Sequence, residues 1–301
     1  MKSLEEVKKK VMERNTTKKN IIAVAVAGDL EVLETIKMIN DSNIASAILV
    51  GDEEKIRKFA AESRCDLNIN EVINEPDERK AAQLAVNKVR EGEADILMKG
   101  LLQTKDYLKA ILHPDLGLRQ GKLLNMVSVF DIPNMNRLII ALDCGMILAP
   151  DIKEKIEMIS NAVCVAKRLE ISKPKLACIG AVETINMQMQ DGIDAAILSK
   201  MAERGQIENV IIDGPLSLDL AISERSVQHK GIKSDVAGQA DIILMPNIQA
   251  GNVFYKTMMY LTNSKSASII MGTSKPVVIT SRADSSDTKL NSIALAIHMS
   301  N

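Results

Sequence analysis

IIAVAVAGDLEVLETIKMINDSNIASAILVGD, residues 21–52, decides the architecture of the chain. Two apolar runs, Ile21–Ala27 and Ala45–Val50, each end in Gly-Asp and flank a stretch of helical period, Leu30–Ile39. A short, almost continuous apolar run reads as a strand covered on both faces, which is the environment of a parallel sheet. Joining two parallel strands takes a helix-sized crossover, and Leu30–Ile39 is one. The pattern recurs outward from this unit, with runs at Ala94–Met98, Met126–Phe130 and Leu138–Leu142. A second series follows at Leu176–Val182, Val210–Ile212, Asp241–Met245, Ala267–Met271 and Val277–Thr280. Amphipathic stretches lie between them at Glu78–Arg90, Ile152–Leu169, Ala195–Arg204 and Leu216–His229. Such alternation predicts an α/β fold with mainly parallel sheet. Ten candidate strands exceed one small sheet and suit two α/β lobes with a cleft. No Pro/Gly/Ser-rich linker divides them, so the crossing is placed near Pro150, which opens a helix that ends before Pro174.

Composition narrows the function. In 301 residues, 38 basic side chains against 39 acidic ones leave a net charge of −1, and aromatic residues make up 2% with no Trp. A nucleic-acid binder held by a broad basic face, or by aromatic stacking platforms, is disfavoured. The longest apolar run has seven residues, Ile21–Ala27, far short of the roughly 18–20 that span a bilayer. The amphipathic start, MKSLEEVKKKVMERN, has no signal-peptide core. Cys65, Cys144, Cys164 and Cys178 have no paired spacing, and His113, His229 and His298 stand far apart. No metal is expected, and a reducing cytoplasm is the expected location.

In open α/β sheets ligands bind beyond the carboxyl ends of the strands, where loop amides and helix N-termini converge. Three strand boundaries carry cations. Lys99-Gly100 precedes Thr104, Lys105 and Lys109; Arg137 precedes its strand; Ser281-Arg282 precedes Asp284, Asp287, Lys289 and a closing helix. A hydroxyl beside a guanidinium suits a planar oxyanion such as phosphate. Singly, each cation also reads as a solvated surface charge. GLRQGK at 117–122 has one residue too few between its glycines for a Walker loop and reads as a surface turn.

The C-terminal third reads DGPLSLDLAIS at 213–223, HKGIKSDVAGQADIILMPNIQAGNVFYKT at 229–257 and PVVITSRADSSDTKLNSIALA at 276–296. With ILVGD at 48–52, MKG at 98–100, GLRQGK at 117–122 and DAAILSKMAERGQI at 194–207, it resembles the phosphate acyltransferases, the butyryltransferases more than the acetyltransferases. The resemblance implies two α/β domains facing a cleft, as in the isocitrate and isopropylmalate dehydrogenases. Their expected bounds are 1–149 plus a returning 276–301, and 150–275. It implies reversible transfer of a short, butyryl-like acyl group between coenzyme A and inorganic phosphate. Coenzyme A is then a substrate, no cofactor is tightly bound, and the assembly is a homodimer or larger.

Carried over by resemblance, Ser281 donates to the reacting oxygen and Arg282 holds phosphate, with Arg137 a further anion-binding arginine. Lys99, Gly100 and Thr104 match the loop of the first domain, and Asn252 falls in the Ala-Gly-Asn motif. The chain departs from the pattern in several places. The position of the family's thiol-base aspartate holds Thr288, leaving Asp287 one residue earlier as the candidate base, and Lys109 replaces an arginine. Asn125-Met126 stands for Ser-His, Ile147 for asparagine, Asn186–Gly192 for Asn-Pro-Lys-Met-Pro-x-Thr, and Asn247-Ile248-Gln249 for Asp-Ile-Glu. These changes leave a second reading open, a divergent member that binds coenzyme A or acyl phosphate with altered specificity or little turnover.

Overall fold

A computed structural model describes residues 1–15, 19–279 and 284–300. In chain order the elements are α1 (Leu4–Asn15), β1 (Ile21–Ala25), α2 (Leu30–Asp41), β2 (Ser46–Gly51), α3 (Glu53–Ser63), β3 (Glu71–Asn74), α4 (Glu78–Arg90), β4 (Ile96–Lys99) and α5 (Thr104–Ile111). Next come β5 (Asn125–Asp131), β6 (Leu138–Leu142), α6 (Ile152–Arg168), β7 (Lys175–Ile179), α7 (Gln190–Glu203), β8 (Ile211–Leu216), α8 (Leu218–Ile222), α9 (Glu224–Lys230), β9 (Ile242–Leu244) and α10 (Ile248–Leu261). The chain closes with β10 (Lys265–Met271), β11 (Val277–Val278) and α11 (Ser286–Ser300).

Two compact units emerge, one of Glu5–Lys122 with Ala267–Asn301, the other of Met1–Leu4 with Leu123–Ser266. The crossing therefore falls at 122/123, earlier than Pro150. The reason is pairing: β6 lies parallel to β9, with Ile140 opposite Ile242, so β5 and β6 go with the segment that follows them. The return likewise begins at Ala267, ahead of residue 276.

In the first unit the strand order is β3-β2-β1-β4-β11-β10. All pairs are parallel except β10 with β11. The returning β11 sets Val277 and Val278 beside Leu97 and Met98 of β4. Gly-Asp after β1 and β2 has a local cause. Asp29 caps α2 by accepting from Val32 N at 3.2 Å, and Asp52 caps α3 by accepting from Lys55 N at 3.1 Å. Both carboxylates are thereby committed to helix starts. α11 is buried from Thr288 to Met299, with polar Asn291, Ser292 and His298 among the covered side chains, which is why its sequence shows little amphipathic period.

In the second unit the order is β5-β6-β9-β7-β8, with β5 antiparallel to β6 and the rest parallel. Phe130 sits at its centre with edge-on contacts to Phe254 and Tyr255, ring centroids 5.4 and 5.7 Å away. The stretch Leu216–His229 does not form one helix. Leu216 ends β8, and Ser223 interrupts the rest by capping α9, accepting from Ser226 N at 3.3 Å.

Candidate active site

In the unit built from Glu5–Lys122 and Ala267–Asn301, a cavity of about 320 Å³ opens at the carboxyl ends of β1 and β4. Asp29, Glu31, Thr35, Lys99, Gly100 and Lys289 supply most of its polar lining, and Val32, Met98, Leu101 and Leu102 its apolar part. The two strand exits are locked together there. Gly100 N donates to Ala25 O at 2.8 Å and Leu101 N to Val26 O at 2.9 Å. Val26 accommodates this at φ 61°, a left-handed conformation that a β-branched residue adopts only under constraint. The approach is so close that a Cβ on Gly100 would lie 2.1 Å from Val26 O and 2.6 Å from Ala25 O. Only glycine fits.

Two ammonium groups face this cavity. Lys99 Nζ lies 3.3 Å from its neighbour's carbonyl, Gly100 O. Lys289, with 9% of its side chain exposed, comes from the first turns of α11 and pairs with Glu31 at 3.2 Å. In the sequence Lys289 reads only as a charge flanking Ser281-Arg282. The available signal is a lone cation directly ahead of a mostly apolar helical run, LNSIALAI at 290–297. Beside it, Thr288 is buried against the Ser285 hydroxyl at 3.0 Å, whereas Asp287 is exposed at the start of the helix.

The other expected residues are scattered in the fold. Thr104 and Lys109 are exposed on α5 and do not line the cavity. Ser281 and Arg282 lie outside the described residues. The described chain ends β11 at Val278, beside β4, and begins α11 at Ser286.

Arg137 belongs to the second unit. It stands before β6, at the opposite end of that strand from Asp143, and donates to Gly238 O at 3.1 Å and Ala240 O at 3.4 Å. Its guanidinium tethers a loop and opposes the upward push that burial gives the Asp241 carboxyl. GLRQGK begins where the preceding turn closes, with Gly117 N on His113 O at 3.0 Å and Leu118 N on Ile111 O at 2.8 Å, and its Arg119 bridges antiparallel to Thr273.

Asn252 belongs to the second unit, at the carboxyl edge of its own strands. Asp143, after β6, is 2% exposed and accepts from Gly145 N, Met146 N and Met126 N at 2.6, 2.7 and 2.9 Å. Burial raises its pKa above the usual 3.8 despite these donors. Gly251 lets α10 approach so near that a Cβ would lie 2.0 Å from Asp143 O, and Asn252 donates to Cys144 O at 3.5 Å. Asn125 is fully buried and accepts from Asn161 at 2.7 Å, so this departure is matched by a partner. Nearby, Lys155 and Asp194 form a buried ion pair at 2.5 Å, with Gln190 donating to the second Asp194 oxygen at 2.7 Å. No sequence motif announced Lys155.

Comparison with known proteins identifies the family. Residues 6–83 and 76–297 match the family described as Phosphate acetyl/butaryl transferase. The chain belongs to this family. It is 48% identical to a phosphate butyryltransferase of Clostridium acetobutylicum over 98% of this chain and 97% of that one. It is 43% identical to a phosphate acetyltransferase of Thermotoga maritima over 95% and 97%. The crystal structure of a branched-chain phosphotransacylase from Enterococcus faecalis V583 superposes with a TM-score of 0.84 at 31% identity, covering 93% of this chain and 99% of that one. As a member of the family the chain is an acyltransferase. Among the described residues no helix is long and apolar enough to cross a membrane, and no cluster of His, Cys, Asp or Glu is arranged to hold a metal ion.

Proposed function

We propose that this acyltransferase moves a butyryl-sized group reversibly between coenzyme A and inorganic phosphate. The observation that carries the reading is its full-length likeness to a phosphate butyryltransferase, combined with the lysine-lined cavity at Gly100. In the direction of thioester synthesis, the coenzyme A sulfur forms a bond to the acyl carbonyl carbon. The carbon–oxygen bond to phosphate breaks, phosphate leaves with the electron pair, and the thiol proton passes to a base.

Lys99 and Arg282 hold the phosphoryl oxygens, Ser281 donates to the reacting oxygen and Asp287 takes the proton. Asn252 contributes to substrate binding. Thr104 and Lys109 add positive charge and a hydroxyl from outside the cavity. Arg137, which donates to Gly238 O and Ala240 O, is left out of this phosphate set. Coenzyme A acts here as a substrate, without a tightly bound cofactor. The kinship with isocitrate and isopropylmalate dehydrogenases, a cytoplasmic location and a homodimeric assembly belong to the same reading.

The test is phosphate-dependent thiol release from acetyl-, propionyl-, butyryl- and isobutyryl-CoA by the purified protein. Saturable release that requires phosphate is expected, with Arg282→Ala raising the KM for phosphate and lowering kcat. Coenzyme A binding with no release from any thioester would replace this reading with that of a binding protein.

A further inference from the structure

We infer that Met126 sets the acyl-chain selectivity, its thioether forming the floor on which the alkyl tail of the transferred group lies; this rests on the acyl-transfer reading. Because β5 runs antiparallel to β6, the start of β5 shares an edge with the end of β6. That is the carboxyl edge of β6, β9 and β7, the side on which such sheets bind ligands. Asp143 holds the Met126 amide at 2.9 Å, which fixes the backbone from which the side chain springs.

The Met126 side chain packs on the apolar cluster that includes Phe130, Cys144, Met245 and Phe254, yet it stays partly exposed. Gly145 stands over it. A Cβ there would lie 3.3 Å from both Sδ and Cε, so the residue best placed to roof the thioether has no side chain. Three residues on, Leu148 is 71% exposed while its carbonyl accepts from Ile248 N at 3.0 Å, which pins the loop to the start of α10. Asn252 lies on the same helix and reaches Cys144 O.

A partly exposed methionine and an exposed leucine on a fixed loop gain nothing from a phosphate or a nucleotide. They gain from an alkyl chain, and more from a propyl tail than from a methyl. The flexible thioether also accommodates a branched tail.

The readout is the ratio of kcat/KM for butyryl-CoA to that for acetyl-CoA at saturating phosphate. Met126→Gln keeps the length and removes the apolar surface, and lowers this ratio by about tenfold. Met126→Leu keeps the apolar surface and holds the ratio near that of the parent. Met126→Ala deepens the floor and raises isobutyryl-CoA relative to butyryl-CoA. An unchanged ratio in the Gln variant, or a Leu variant that behaves like Gln, overturns the assignment while leaving acyl transfer intact. A parent protein that releases no thiol from either thioester overturns the acyl-transfer reading, and this inference with it.

Discussion

Replacing Gly100 with alanine tests how the cavity is built. The new Cβ would sit 2.1 Å from Val26 O, 2.6 Å from Ala25 O and 2.8 Å from the Val26 carbonyl carbon. All three are main-chain atoms, so no rotamer change relieves the overlap. Either β4 or β1 must move by on the order of 1 Å at its exit, as in other overpacked cores. That movement breaks the bonds from Gly100 N and Leu101 N to those same carbonyls. Two buried hydrogen bonds contribute about 1–3 kcal/mol together, and strain from overpacking adds about 1–3 kcal/mol. A loss of roughly 2–6 kcal/mol is therefore expected, visible as a lower urea midpoint with an unchanged slope. Lys99 moves with the exit, so kcat/KM also falls in the protein that remains folded. A variant with the parent's urea midpoint and the parent's kcat/KM would refute the close approach as the determinant of this cavity.

Other perturbations follow from the same structure. Lys99→Ala removes an ammonium from the cavity and is expected to raise the KM for phosphate about tenfold or more with an unchanged circular dichroism spectrum; an unaltered phosphate dependence would take Lys99 out of the site. Lys155→Met leaves Asp194 buried without its cation and costs about 3–5 kcal/mol, whereas pairing it with Asp194→Leu recovers part of that loss in a denaturation cycle. A simple sum of the two single losses would show that the pair is not coupled. Asp143 has a native pKa raised above 3.8, so between the two values the folded protein binds the extra proton. This group's contribution is therefore present at low pH and is lost as pH rises through that window. Asp143→Asn removes that component from the pH dependence of unfolding. It also turns an amide donor toward Met126 N, at a cost of about 1–3 kcal/mol, and identical pH curves for the two proteins would contradict the assignment.

The strands were legible because burial on both faces leaves a direct mark on composition. Every apolar run from Ile21 to Thr280 contributes a strand within the described residues. The strand that escaped, β3, is an edge whose EVIN sequence is only partly covered and carries no such run. Helices with one wet face were read from their period, as at Glu78–Arg90. α11 was harder to delimit because both its faces are buried, which erases the period. The crossing between units was misplaced for a different reason. It depends on which strand β6 pairs with, and pairing between Ile140 and Ile242 is set a hundred residues apart, beyond any local pattern.

Residues named by type and position alone divided according to where their charge could go. Lys99 stands at a strand exit where Gly100 admits two backbones in contact, and it lines the cavity. Arg137 looked equivalent in sequence, but it precedes its strand instead of following it. In a parallel sheet that difference places it at the amino edge, where free carbonyls of the Gly238–Ala240 loop capture its guanidinium. Position relative to strand direction therefore separates a cation that lines the cavity from a tether better than residue type does. The same criterion makes Lys289 a member of the cavity although its pairing with Glu31 could pass for a simple surface bridge. Its side chain is almost wholly buried, its partner is half exposed, and it projects from the helix that follows the β11 exit. An incoming phosphate dianion competes with Glu31 for that ammonium, so Glu31→Gln should lower the KM for phosphate, whereas a pair serving only to hold α11 against α2 would leave that KM unchanged and lower stability alone.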